Sequence, residues 1–318
     1  MKSSTWLLNR HVLAALCATP LLVGSASVFA DETPAAVEAA APAAAAAPAA
    51  PAPPYTLTFS LGLYTNYIAR GVNYSAGPAI QGNIDWAHSS GLYLGTFFSS
   101  TNPQTLGAAG TVTATDPSGP PGAPLGRGNH VETDLYGGYA HAFGPVTLGA
   151  GGNFIFYPEN ELSYHNRNQN TFEGNLNIAA YGFTYTFYHA FTDWYGIGRT
   201  RPNGLATATS YKESTKGVEY HELKYGYTLP VADLNFSAKV GYQRSSDICL
   251  NQKDFLLGLN RNFSIPTAGK PIEGFNAGAN YTGIFGEEQC SRDGAYYTDD
   301  NGEKDNGHMI TFFIKRSW

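Results

Sequence analysis

Six charged residues are the strongest candidates for chemistry in this chain, and five of them lie on the polar side of segments in which apolar and polar residues alternate. The six are Asp85, Glu132, Asp134, Glu173, Lys239 and, outside such a segment, Arg70. An enclosed space with an excess of carboxylates concentrates cations. These residues therefore predict the lining of a passage for small polar solutes or ions that weakly prefers cations. The open alternative is that they pair with one another across a filled interior.

Arg70 itself has two interpretations of equal weight. It could project into the mouth of the passage as an anion-attracting or constricting residue. It could instead fold its own loop, with Gly71 supplying an unusual backbone angle and Arg70 pairing with a carboxylate such as Asp85 or Glu132.

The other reactive side chains form no catalytic or metal-binding pattern. The chain contains no His-x-x-x-His or Cys-x-x-Cys spacing, so we expect neither a metal nor another cofactor. A hydrolase needs serine and histidine adjacent in space. His189 has only Thr186 and Tyr188 beside it, and Ser90 with His88 lies in an expected turn. We therefore expect no catalytic residue and no enzymatic activity.

The segments that carry these residues have the two-residue period of β-strands. Residues 57–63, for example, alternate leucine or phenylalanine with threonine, serine and glycine. Twelve such segments lie near residues 55–66, 77–87, 91–100, 130–141, 146–157, 171–180, 182–192, 217–229, 232–243, 253–263, 273–285 and 307–318. The connections between them alternate short and long, as in barrels that span an outer membrane. The expected fold is all-β, a transmembrane antiparallel β-barrel of about 12 strands.

Composition supports a surface that does not face water. Charged residues make up only 14% of the chain, against about 25% in an average soluble domain. After the N-terminal segment no run of 18 apolar residues occurs, so a spanning helix is not expected and a closed barrel is the remaining way to cross a bilayer. The net charge of −6 argues against nucleic acid as a partner.

The N-terminal part divides into two regions. Residues 1–30 are expected to be a signal peptide, with Lys2 and Arg10 before an apolar stretch and cleavage after Ala30. Residues 31–54 are rich in alanine and proline and are expected to form a periplasmic linker, which we favour over a cell-wall tether. The barrel is expected to occupy residues 55–318. Its even strand count predicts that both termini are periplasmic.

Two cysteines remain after the signal peptide. Cys249 and Cys290 lie in successive long connections, 244–252 and 286–306. An even pair in an exported protein predicts a disulfide between them.

Two blocks of the sequence resemble the TorF-type porin family, a proteobacterial group with a glycine-rich (Gcw) pattern. The first block contains Tyr67, Arg70, Gly71, Val72, Ser75, Pro78, Ile80, Gln81, Gly82, Asp85, Trp86, Ser90, Gly91, Tyr93 and Gly95. The second contains Glu132, Asp134, Tyr136, Gly138 and Tyr139, followed by Tyr157-Pro158 and Glu173. The resemblance implies a porin-like barrel in the outer membrane and names no substrate. The Ala/Pro tract and residues 101–129 depart from the family's pattern.

These features lead to one expected function and one alternative. We expect a porin-like channel in the cell outer membrane, in contact with lipid and lipopolysaccharide and inserted by the barrel-insertion machinery through its C-terminal strand, which ends at Trp318. The alternative is a non-conducting structural or adhesive barrel whose long loops bind a partner. About eight strands leave a filled interior and 16 to 18 leave an aqueous channel, so a 12-stranded lumen could be narrow or plugged.

Overall fold

A computed structural model describes the chain in eight stretches. They are residues 53–75, 77–101, 130–158, 170–194, 216–230, 233–244, 251–285 and 308–318. The expected signal peptide, most of the linker and both loop cysteines lie outside these residues. The cleavage site and the disulfide between Cys249 and Cys290 therefore stay predictions.

The described residues form a closed antiparallel barrel of twelve strands and a separate two-stranded sheet. The strands are β1 (Tyr55–Tyr64), β2 (Ile68–Ala69), β3 (Val72–Asn73), β4 (Ala79–His88), β5 (Leu92–Ser100), β6 (Val131–Phe143), β7 (Val146–Phe156), β8 (Thr171–Ala180), β9 (Phe183–Ala190), β10 (Glu219–Leu229), β11 (Leu234–Arg244), β12 (Gln252–Ile265), β13 (Ile272–Phe285) and β14 (Met309–Ser317). The all-β barrel and its twelve strands are confirmed, each boundary within two residues of its prediction. The β2–β3 pair was not predicted.

The barrel closes through β1. This strand pairs with β4 along its whole length, from Tyr55 opposite His88 to Tyr64 opposite Ala79. On its other side it pairs with the last strand, β14, where Ser60 lies opposite Ser317. Closure leaves no sheet edge with unpaired backbone groups, which is the condition for a sheet to be stable in hydrocarbon.

The two-residue period gives every strand an apolar outer face. Along β1, Leu57, Phe59, Leu61 and Leu63 are all exposed, and the same holds for alternate residues around the barrel. A slip of one residue in any pairing would turn these side chains inward, so the pattern fixes the register. No helix among the described residues is long and apolar enough to cross a membrane.

Tight turns join strands at one end of the barrel. Tyr181 and Gly182, which connect β8 to β9, have φ of 52° and 83°. Two successive residues with positive φ are typical of the type I′ turn, whose twist suits a two-residue hairpin. The predicted short connection at residue 181 is therefore confirmed, one residue longer than expected.

The first connection at the other end folds into the barrel instead of extending away from it. We call residues 65–75 and 77–78 the inner loop; it contains β2 and β3. Tyr67, Arg70 and Tyr74 of this loop are buried. The sequence predicted a long outer loop here because nothing in its local pattern shows that these aromatic side chains pack inside the lumen.

Candidate functional site

The tip of the inner loop is shaped by two residues with left-handed backbone angles. Arg70 has φ of 49° and Gly71 has φ of 81°, and they connect Ala69 to its partner Val72. A Cβ atom on Gly71 would lie 2.6 Å from Cγ1 of Ile284 in β13 and 2.9 Å from Cβ of Asp254 in β12. Only glycine fits both this backbone angle and this contact with the wall. The tip therefore rests directly against two strands.

Arg70 forms an ion pair inside the barrel. Its Nη2 atom donates to Glu173 of β8, at 2.8 Å from Oε2 and 3.1 Å from Oε1. The side chains of Arg70 and Glu173 are only 4% and 0% exposed. The backbone carbonyl of Arg70 accepts a hydrogen bond of 2.7 Å from Nε2 of Gln252 in β12. The loop tip is thus fixed to two different parts of the wall.

Three aromatic rings surround the guanidinium group of Arg70. Its Cζ atom lies 4.2 Å from the ring centroid of Tyr220, 4.7 Å from that of Trp194 and 5.3 Å from that of Tyr188. We call Tyr188, Trp194 and Tyr220 the aromatic cage; all three are buried. A guanidinium over aromatic faces is attracted by their electrostatic quadrupole, most strongly where water is excluded. The cage and Glu173 thus surround one guanidinium group with three aromatic faces and one carboxylate.

A second set of contacts holds the start of the inner loop. The phenol of Tyr67 donates to Oε1 of Glu132 at 2.5 Å, and the phenol of Tyr157 donates to Oε2 of the same carboxylate. Neither tyrosine lies in a barrel strand. Burial, reinforced by the charge of Glu132, raises the pKa of Tyr67 and of Tyr157 well above its usual value, so both remain donors at neutral pH. Glu132 therefore links the loop to the barrel wall.

Charged side chains of β10, β11 and β12 form a network next to the cage. Tyr220 donates to Asp254 at 3.0 and 3.1 Å, and the Nζ atom of Lys239 lies 3.5 Å from the same carboxylate. Glu222 and Lys224 form an ion pair of 2.8 Å one step further along β10. Of the cage, Tyr220 is thus held in place by an ionic network on β10 to β12.

The other half of the lumen is different. Asp85 of β4 accepts a hydrogen bond from Tyr136 and is only partly buried. Asn177, Thr184 and Lys315, also on inward positions near the short turns, are partly exposed as well. Inward Thr147, Ser237, Asn260 and Asn276 of the same half are buried. Among the described residues, the lumen is therefore filled around the inner loop and keeps only some partly exposed polar side chains near the short turns.

The structure brings together most of the residues singled out from the sequence. Arg70 contacts Glu173 directly, Glu132 binds the start of the same loop, and Lys239 joins the network through Asp254. Asp134 lies on the inward face beside Glu132 and accepts a hydrogen bond of 3.3 Å from Asn153. Asp85 lies apart, in the half near the short turns. All these side chains face inward, and a role in lining an open pore stays a prediction for each of them.

Two features of the site were not predicted from the sequence. The partner found for Arg70 is Glu173, which was not among the carboxylates suggested for it. The aromatic cage was also missed, although Tyr188 and Tyr220 occupy inward positions in the two-residue period, where an aromatic side chain is unusual for a polar lumen. Among the described residues, no group of three histidine, cysteine, aspartate or glutamate side chains could hold a metal ion.

The fold and the site define a class of protein: a closed β-barrel with an apolar exterior and a polar lumen that its own first loop enters. The chain belongs to the bacterial family Gcw_chp, whose model matches residues 48–317 and whose description is a bacterial protein of unknown function. This confirms the Gcw part of the resemblance; the description does not include the porin function or the TorF name. No curated protein sequence matches the chain.

Solved structures of barrels are similar at low identity. Outer membrane phospholipase A from Escherichia coli has 14% identity and a TM-score of 0.36, with 82% of this chain and 97% of that chain covered. OccK5 (OpdH) from Pseudomonas aeruginosa has 9% identity and a TM-score of 0.34, covering 81% and 62%. OccAB3 from Acinetobacter baumannii has 10% identity and a TM-score of 0.35, covering 82% and 64%. The chain thus spans less than two thirds of the length of either Occ chain.

Proposed function

We propose that the protein is an outer-membrane channel for passive passage of small polar solutes or ions, closed by the inner loop in the conformation described here. The observation that carries this proposal is the division of the lumen. Its half near the short turns has a polar wall in which Asp85, Asn177, Thr184 and Lys315 keep partial exposure, whereas its other half is filled by the inner loop and the aromatic side chains around it. A barrel that served only as a solid structural element would not need partly exposed charged and polar side chains on its inner wall.

The outer face supports a location in a bilayer. Alternate residues on the strands expose leucine, isoleucine, valine and phenylalanine around the barrel, as in strands that face lipid. In the proposed arrangement the short turns and both chain termini lie in the periplasm, and the exterior contacts lipid and lipopolysaccharide. The C-terminal strand β14 would be the segment recognised by the barrel-insertion machinery. This function requires no catalytic residue.

The charges of the lumen support a weak preference for cations. Six carboxylates occupy inward positions in the described strands, on Asp85, Glu132, Asp134, Glu173, Glu222 and Asp254. The cations on inward positions of these strands and in the inner loop are Arg70, Lys224, Lys239 and Lys315. The excess of negative charge would raise the local concentration of cations.

The inner loop is built in a way that allows it to move. Its strands β2 and β3 pair only with each other and form a sheet separate from the barrel. At its start, Thr65 donates a backbone hydrogen bond of 2.9 Å to Phe312 of β14, whereas the contacts of Tyr67, Arg70 and Gln252 that hold the rest of the loop to the wall involve side chains. Withdrawal of the loop would therefore break these contacts without breaking any pairing between barrel strands.

Planar-bilayer recording of the purified protein tests the proposal. We expect conductance steps from the wild type and more frequent or larger steps from Arg70→Asn, in which the ion pair is lost but an allowed left-handed backbone is kept. Arg244→Asn is the matched control, because Arg244 is 62% exposed on the outside of the barrel. Reversal potentials in a salt gradient should indicate cation preference. Anion preference would contradict the selectivity, and absence of steps from every variant would contradict the channel.

The alternative is a non-conducting structural or adhesive barrel whose long loops bind a partner. The observation that favours it is the density of the closed half, where Tyr67, Tyr157, Tyr188 and Tyr220 are almost completely buried. On this alternative, neither Arg70→Asn nor a disrupted cage would produce conductance.

A further inference from the structure

The aromatic cage has the properties of a binding site whose ligand belongs to the same chain. A guanidinium group is planar, stacks on aromatic rings and bonds to a carboxylate through several N–H groups. The cage presents three rings at 4.2 to 5.3 Å and one carboxylate at 2.8 Å. We propose that this site binds organic cations of the guanidinium class, and that Arg70 occupies it as a tethered ligand that such a cation displaces.

The walls of the site do not belong to the loop that fills it. Glu173, Tyr188 and Tyr220 lie on three consecutive barrel strands, β8, β9 and β10, and Trp194 follows β9. Arg70 alone is supplied by the inner loop. When the loop withdraws, the cage and its carboxylate remain in the lumen.

The buried charge makes an empty site unfavourable. Glu173 is completely buried, and a buried carboxylate without a counter-charge is strongly destabilised. The vacated site would therefore favour a replacement cation. Neither sodium nor a primary ammonium has a planar face to lie against three rings, and an ammonium is also a more strongly hydrated charge than a guanidinium.

Displacement would couple ligand binding to the position of the loop. Because Arg70 and the external cation compete for the same atoms, each bound ligand releases the arginine and weakens the hold on the loop tip. This second part of the inference rests on the proposed function, since release of the loop matters for passage only if the barrel conducts. The binding part does not depend on conduction.

Fluorescence of Trp194 gives a direct measure of binding. In mature protein with Trp86→Phe and Trp318→Phe, Trp194 is the one tryptophan left, and its ring lies in the site. We expect methylguanidinium to cause a saturable change in its emission in Arg70→Asn. The wild type should need a higher concentration, because Arg70 competes. Methylammonium and sodium at equal ionic strength are the ligand controls.

Two further substitutions separate specific binding from a general effect of the salt. Arg70→Asn combined with Glu173→Gln should bind methylguanidinium at least about tenfold more weakly, because a charge-assisted contact is lost. Tyr220→Phe keeps the ring and should keep binding, whereas Tyr220→Leu removes it and should weaken binding. Equal affinity in all these variants, or no saturable change in Arg70→Asn, would overturn the proposal.

Two further measurements allow the binding results to be interpreted even if a variant fails to fold. Heat-modifiable electrophoretic mobility reports whether each variant forms the barrel. If Arg70→Asn does not fold, the wild type titrated against Tyr220→Leu and Tyr220→Phe tests the same site. Binding without any conductance would refute the proposed channel and leave the cage supported; conductance without specific binding would refute the cage and leave the channel supported.

Discussion

The ion pair between Arg70 and Glu173 should control how often the inner loop leaves the lumen. We consider Glu173→Gln, which keeps the size of the side chain and one carbonyl acceptor but removes the charge. Arg70 then remains 4% exposed with its ionic partner lost. Because the loop forms its own small sheet, the guanidinium can escape to water by withdrawal of the loop without unfolding of the barrel.

The size of the effect follows from the burial of both partners. Removing one member of a buried ion pair costs about 3–5 kcal/mol, and the remaining amide oxygen places this substitution near the lower limit. Since about 1.4 kcal/mol corresponds to a factor of ten, the equilibrium between closed and open loop should shift by about 100-fold. The aromatic cage contributes equally before and after the substitution, so it does not alter this difference.

Trypsin measures this equilibrium at the residue concerned. The bond between Arg70 and Gly71 is a tryptic site that is buried while the loop is closed, and its cleavage rate follows the open population if closing is faster than cleavage. We expect cleavage at this bond, identified by mass spectrometry, to accelerate about 100-fold in Glu173→Gln. Glu219→Gln is the control, because Glu219 is 30% exposed and such a pair contributes only about 0–1 kcal/mol. A rate within about fivefold of the wild type for Glu173→Gln would refute the reasoning.

Three other predictions concern the loop tip, the outer face and the cysteines. Gly71→Ala should also accelerate tryptic cleavage, since its Cβ would meet Ile284 at 2.6 Å, whereas Gly77→Ala has nothing within 4 Å and should behave as the wild type. Leu176→Lys, at an outward position that is 59% exposed, should destabilise the barrel in lipid by about 2–4 kcal/mol if it lies near the midplane, measured by urea unfolding in vesicles. Thiol titration of denatured, unreduced protein should find no free thiol, and two free thiols would exclude the disulfide between Cys249 and Cys290.

The barrel itself could be predicted because the pattern of each strand is visible within its own short stretch of sequence. Each strand needs only a two-residue alternation, and the alternating lengths of the connections give the two ends. Neighbouring strands then pair in chain order, with the single exception that β1 passes over the β2–β3 pair to join β4. Alternation does not report how the lumen is filled, since polar inward residues are compatible with water and with a network of paired charges.

The inner loop could not be predicted for the same reason. Arg70 and Glu173 are separated by 103 residues, and Tyr67 and Glu132 by 65. No local pattern connects such positions, and closure of the barrel alone brings them together. The unusual backbone angle expected at Gly71 was foreseen, but the partner and the direction of Arg70 depend on the opposite wall.

The motif residues behind the family resemblance gain a physical meaning from this arrangement. Tyr67, Arg70 and Gly71 come from the first block, and Glu132, Tyr157 and Glu173 come from positions much later in the chain. Gly71 lets the tip reach the wall, Tyr67 and Tyr157 share the carboxylate of Glu132, and Arg70 binds Glu173. Six separate positions thus serve one contact surface between the inner loop and the barrel. The residues that carry the family resemblance therefore hold the inner loop inside the lumen. A substitution among them should affect the position of the loop more than the stability of the barrel.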